Sequence, residues 1–219
     1  MNHKNLGTRI LRATAGLVFF AVGVYLTIQA NIGLSPWDCF AMGVSKQLPI
    51  TYGQASIVIS FLILGVDLLL GERIGIGTIL DAFVIGIVID LLQSTGIVPA
   101  QTSVPVGIVM MIIGLFIMSF GQYIYMTACL CCGPRDAMLV GIGKRLSKTP
   151  IGAVNVLILV CVLLVGWMLG GKVGIGSLIA SVCIGVTMQI VFKLLNFEPR
   201  NLKHESLWDT FKRKTIAEG

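Results

Sequence analysis

Apolar residues fall in six long runs, at about Ile10–Ala30, Gln54–Leu70, Gly75–Leu92, Val104–Ala128, Ala153–Leu169 and Gly174–Leu195. A helix of about twenty apolar residues crosses a hydrocarbon core about 30 Å thick. Each run therefore predicts a membrane-spanning helix. Between the runs lie polar turns at Pro49–Gly53, Gly71-Glu72-Arg73 and Ser147–Gly152, and a loop without charges at Gln93–Ser103. Two further segments, Ser35–Leu48 and Gly133–Leu146, are about 14 residues long. As helices they would reach only about 21 Å, too short to cross unaided.

Both short segments open in the same way. The first reads Gly33-Leu34-Ser35-Pro36-Trp37-Asp38 and the second Cys132-Gly133-Pro134-Arg135-Asp136. Ser35 or Gly133 suits the N-cap, proline fits the first turn, and the aspartate faces the positive end of the helix dipole. The likeness extends along the chain at a step of 98, pairing Gly16 with Gly114, Gly23 with Gly121, Tyr25 with Tyr123, Lys46 with Lys144 and Thr51 with Thr149. At a step of 99, Arg73-Ile-Gly-Ile-Gly-Thr78 meets Lys172-Val-Gly-Ile-Gly-Ser177. Glycine-rich apolar sequence matches itself to some extent, but so many glycines, prolines and charges in phase point to duplication.

Three spans per half is an odd number, so the second half would enter the membrane upside down relative to the first. The expected fold is an all-α polytopic membrane protein of two inverted repeats, each with three transmembrane helices and a short re-entrant half-helix. The alternative is eight crossings with parallel repeats. Segment length favours six. The chain divides into an N-terminus (1–9), a first membrane repeat (10–95), a second (96–196) and a basic tail (197–219) beside Trp208 and Phe211. With both termini inside, only Lys46 and Lys172 of the 16 lysines and arginines fall outside, as the positive-inside rule requires. The first run is too long for a signal peptide core and reads as a retained span.

Composition agrees with this picture. The 219 residues are 56% hydrophobic and 12% charged, with a mean hydropathy of +0.93, where a soluble domain is about a quarter charged. The net charge of +6 sits at the span ends as an orientation signal and does not argue for nucleic acid. The six cysteines lie in or beside the spans, unlike a secreted disulfide framework.

Candidate chemistry clusters at the short segments. Two helix N-termini meeting from opposite faces would present free N–H groups to an anionic or strongly polar solute. Asp38 and Asp136 either cap their own helices or, with Arg135, bind a solute or proton. Ser35, Pro36, Trp37, Gly133 and Pro134 complete this candidate site. Ionisable groups inside spans default to functional hypotheses. Asp81 is the deepest, and reads equally as part of a solute or proton pathway or as a structural hydrogen bond to Thr78 or a neighbouring helix. Asp67 and Asp90, nearer the span ends, read as solvated at the interface. Cys129, Cys131 and Cys132 are soft-metal ligand types, but no histidine is near, and small residues at a helix break explain them better. Lys46 and Lys144 read as interfacial anchors, and Tyr25 and Tyr123 as packing. No phosphate loop, metalloprotease helix or hydrolase elbow is present.

The sequence resembles the bacterial YczE/YitT group of integral membrane proteins. Asn31-Ile-Gly-Leu-Ser-Pro-Trp-Asp38, the Lys46–Gly53 turn, Arg73–Thr78 and the second Gly-Pro-x-Asp136 carry the resemblance over nearly the whole chain. It implies a bacterial plasma-membrane location and no assigned substrate or catalytic residue.

The expectation is thus a small-solute transporter or channel with a midplane site, no cofactor and no enzymatic activity. Its partners would be membrane lipids, a small polar or anionic solute and, in a homo-oligomer, copies of itself. The alternatives are a membrane accessory or scaffold protein and, more weakly, a soft-metal-binding protein.

Overall fold

The computed structural model describes residues 6–72, 74–130, 133–146 and 150–198. These form eight helices and no strand: α1 (Leu6–Gln29), α2 (Pro36–Gln47), α3 (Tyr52–Leu70), α4 (Ile76–Thr95), α5 (Val104–Met126), α6 (Pro134–Arg145), α7 (Ile151–Met168) and α8 (Ile175–Leu194). Six of them are long and apolar enough to cross a membrane. The other two, α2 and α6, have 12 residues each, about 18 Å of helix, and are too short to cross. This is the all-α, six-span architecture expected from the sequence.

Helix starts lie close to the expected positions. The first helix already includes residues 6–9, N-terminal to the expected start at Ile10, and Arg9 lies within it. The Arg9 guanidinium donates to the carbonyls of Ala128 (2.9 Å) and Cys129 (2.8 Å). Helix α3 begins at Tyr52 because Thr51 and Gln54 form a reciprocal capping box. Ser35 caps α2 and Asp38 sits in its first turn.

Corresponding helices keep a constant register. The pairs α1/α5 and α2/α6 begin 98 residues apart, and α3/α7 and α4/α8 begin 99 apart. The α1 and α5 helices cross antiparallel, Gly16 lying on Gly121 and Gly23 on Gly114. A methyl at Gly16 would stand 2.8 Å from Gly121 O, and one at Gly114 2.8 Å from Gly23 O. Only glycine permits so close a backbone approach.

Contacts between the halves are reciprocal. Helix α2 packs on α7 and α6 on α3. At its C-terminal end α2 ties to the end of α7, with Lys46 Nζ donating to Gly170 O and Gln47 to Leu169 O, both at 2.9 Å. The end of α6 ties to the end of α3, Lys144 bonding Glu72 at 2.7 Å and Arg145 donating to Leu69 O at 3.1 Å. The loop before α2 accepts at Ile32 O from Gly176 N–H (3.0 Å), and the loop before α6 accepts at Leu130 O from Gly77 N–H (2.9 Å). Asn31 and Cys129 take equivalent left-handed conformations, with φ of 58° and 54°.

One relation is not reciprocal. Helix α3 packs along α4, whereas α7 and α8 scarcely touch.

Candidate functional site

A cavity of about 370 Å³ lies at the centre of the bundle, lined by side chains from all eight helices. Its charged lining is Asp81 from α4 with Arg135 and Asp136 from α6. Ser56, Ser60, Ser119, Gln122 and Asn155 add hydroxyls and amides, and Phe20, Trp37, Ile85, Met118, Leu139 and Ile184 are among the apolar walls.

The break before α6 builds the charged end. Gly133 is extended (φ −63°, ψ 160°) and offers no side-chain cap, and proline occupies the first turn. This bare helix start lies against Asp81: a methyl on Gly133 would come 3.3 Å from Asp81 Oδ2. The charged neighbours of Asp81 are Arg135 and Asp136. Arg135 lies over the Trp37 ring, 5.1 Å from its centroid, within cation–π range. Trp37 and Arg135 are equivalent residues of the two repeats, so their stacking joins the starts of the two short helices.

The equivalent aspartate is used differently. Asp38 is 3% exposed, and its carboxylate accepts from Ser35 Oγ (2.5 Å) and from the Tyr52 hydroxyl (2.8 Å). It thereby ties α2 to α3. The second half has Gly133 and Ile151 at the matching positions, so those two contacts cannot form there, and Asp136 lines the cavity. Of the expected site residues, the cavity brings together Trp37, Asp81, Gly133, Arg135 and Asp136. Ser35, Pro36, Asp38 and Pro134 build the two helix starts beside it.

Thr78, the structural partner considered for Asp81, works at the start of α4, where its hydroxyl accepts from Gly75 N–H at 3.2 Å. Neither Asp67 nor Asp90 is merely solvated at the interface. Asp90 accepts from Gly53 N–H at 2.7 Å and from the Thr51 hydroxyl, closing the start of α3 onto α4. Asp67 is fully buried, and neither carboxylate oxygen has a hydrogen-bond partner among the described residues. Helix α6 covers that end of α3, Gly141 packing on Leu70, which the sequence pattern did not reveal. Tyr25 bonds the loop at Val98, and Tyr123 stacks edge-on with Phe197. The Cys129 carbonyl receives the Arg9 guanidinium. Cys131 and Cys132, like residues 199–219 of the tail, lie outside the described residues.

Sequence reading missed the hydroxyl and amide lining. Ser56 and Ser60 stand four apart on one face of α3, which is the available signal. Serine, however, is common enough in spans to carry little weight alone.

Fold and site together define a multi-pass helical membrane protein with a charged central cavity. The chain belongs to a family of unknown function, DUF6198, whose model matches residues 7–193. It is similar to the uncharacterized membrane protein YczE of Bacillus subtilis, with 31% identity covering 84% of this chain and 86% of YczE. An uncharacterized protein of Haemophilus influenzae is 30% identical, over 82% of this chain and 81% of its own length. The uncharacterized protein YyaS of Bacillus subtilis is 31% identical, over 81% of this chain and 88% of YyaS. No solved structure matches the chain.

Proposed function

We propose that this protein is a transporter of a small polar solute, which binds in the central cavity between Asp81, Arg135, Asp136 and Trp37. The observation that carries the reading is the presence of three ionisable side chains, Asp81, Arg135 and Asp136, together in one central cavity. Such groups are costly inside a membrane and mark solute or ion pathways. Broken helices meeting near the centre of two repeats are a recurring transporter design. The antiparallel crossing of α1 and α5 and the reciprocal contacts between the halves support repeats inserted in opposite orientations. The distribution of lysine and arginine supports cytoplasmic termini in a bacterial plasma membrane. We read the protein as a carrier, not an enzyme.

The lining also bears on the solute. Two carboxyl groups and one guanidinium offer partners for both signs of charge, which suits a zwitterion. Two open helix N-termini would favour an anionic or strongly polar solute; with Ser35 and Asp38 occupying the start of α2, the polar solute is the better fit.

The test is thermal stabilisation of the purified protein by a panel of amino acids, quaternary amines and carboxylates. A ligand at a hundred times its Kd adds about 2.7 kcal/mol of stability. Zwitterions should stabilise the wild type, and Asp81→Asn should weaken their binding at least about tenfold, a loss of about 1.4 kcal/mol. Stabilisation by no member of the panel, or binding indifferent to both Asp81→Asn and Arg135→Ala, would contradict the assignment.

A further inference from the structure

Two helical hairpins, α3–α4 and α7–α8, share one register, since their helices begin 99 residues apart. That step equates Gly53 with Gly152, Gly86 with Gly185 and Asp90 with Gln189. In the first hairpin these residues meet. Gly53 N–H donates to Asp90 Oδ1 at 2.7 Å, the Thr51 hydroxyl donates to Asp90 Oδ2, and a methyl at Gly86 would stand 2.6 Å from Gly53 O. In the second they do not. Among the described residues, a methyl at Gly152 or at Gly185 would have no atom within 4 Å beyond its own helix and chain neighbours, and Gln189 is exposed. Gly185 also lines the central cavity, as do Asn155 of α7 and Met188 of α8.

The cavity therefore reaches the gap between α7 and α8, at the face where α1 begins. At the opposite face α3 and α4 are held together by the Gly53–Gly86 packing and the bonds to Asp90, and none of these three residues lines the cavity. Glycine inside a helix costs stability unless a close approach requires it. Gly53 and Gly86 have that reason. Gly152 and Gly185 have none in this arrangement.

We propose that Gly152, Gly185 and Gln189 form a second gate. In another state of the protein α7 closes on α8 with Gly152 against Gly185, while Gly53 and Gly86 separate and Asp90 releases Thr51. The cavity then faces each side of the membrane in turn. This rests on the reading of the cavity as a transport site, and it names the parts that move. Closing the second hairpin asks of its backbone only the packing that the first already adopts. The carboxylate of Asp90 makes a stronger latch than the neutral amide of Gln189 can. That difference accounts for the first hairpin being the closed one.

The experiment uses the full chain in membrane vesicles, with its native cysteines replaced and cysteines introduced by Pro150→Cys and Gln189→Cys, the equivalents of the touching Thr51 and Asp90, which leaves Gly152 and Gly185 in place. A disulfide requires the two Cα atoms within about 7 Å, so mild oxidation should trap the closed second gate. Adding Asp90→Asn, which weakens the opposing latch, should speed the cross-link about fivefold, the worth of one hydrogen bond. As a second measurement, spin labels introduced by Ile151→Cys and Gln189→Cys, at two exposed positions, should report two distance populations. The shorter should grow with Asp90→Asn. No cross-link, together with a single distance that Asp90→Asn leaves unchanged, would overturn the gate. Neither readout uses a solute, so the gate can fail while binding that depends on Asp81 stands, and the reverse.

Discussion

The α3–α4 and α7–α8 hairpins carry the same glycines at the same spacing, yet one is sealed and the other open. In the first, Gly53 lies on Gly86 and Asp90 holds the start of α3. In the second, no described residue beyond the glycine's own helix and chain neighbours comes within 4 Å of a methyl placed on Gly152 or Gly185. The same contrast separates the short helices: Asp38 is absorbed into a structural tie with Tyr52, while Asp136 lines the cavity. The same helix register thus occurs in both halves of the chain. Single departures from it separate the copies: Asp90 binds the start of α3 where position 189 is glutamine, and Tyr52 binds Asp38 where position 151 is isoleucine.

The contrast can be broken most severely at the glycines. In Gly86→Leu the new side chain points at the Gly53 carbonyl, which is backbone and cannot rotate away. Overpacking of this kind costs about 3 kcal/mol or more, so the variant should lose most folded protein in thermal unfolding followed by size-exclusion chromatography. Gly185→Leu should fold with wild-type stability, because its side chain enters open space.

A smaller effect should follow from the latch. Asp90→Ala removes the acceptor for Gly53 N–H and the Thr51 hydroxyl and should lower stability by about 1–3 kcal/mol. Gln189→Ala, at an exposed position, should stay within about 0.5 kcal/mol of wild type. Equal losses from the two variants would mean that the second hairpin is also fastened.

The smallest stability effects sharpen the contrast between the aspartates. Asp38→Asn should cost about 1 kcal/mol by weakening the bond from Tyr52 while leaving solute affinity unchanged. Asp136→Asn should instead lower solute affinity, a loss that Asp38→Asn does not share. Paired unfolding and ligand-titration curves distinguish the two.

Much of the fold was legible in the sequence because the repeat carries its own register. Steps of 98 and 99 read from glycines, prolines and lysines reappear as helix starts. The length of the short segments likewise separated α2 and α6 from the six spans. The site was legible in part. Trp37, Asp81, Gly133, Arg135 and Asp136 announce themselves as charges, an aromatic and a glycine break in apolar sequence. Which of the two equivalent aspartates faces inward was not, since it depends on Tyr52, a residue on another helix. The burial of Asp67 was hidden for a like reason: it is a matter of tertiary packing at the end of α3, where α6, far along the chain, lies on Leu70. The open second hairpin left no trace in the glycine pattern, because Gly86 and Gly185 are the same residue and only their surroundings differ.

The account rests on two halves of opposite orientation, and sidedness tests this most directly. Ser103→Cys and Gly7→Cys, each made in a chain free of other cysteines, would be labelled in intact cells with a membrane-impermeant maleimide. The account predicts that the cysteine at position 103 labels from outside and that at position 7 only after permeabilisation. Labelling of both from the same side would mean an even number of crossings in the first half and parallel repeats, and would contradict it.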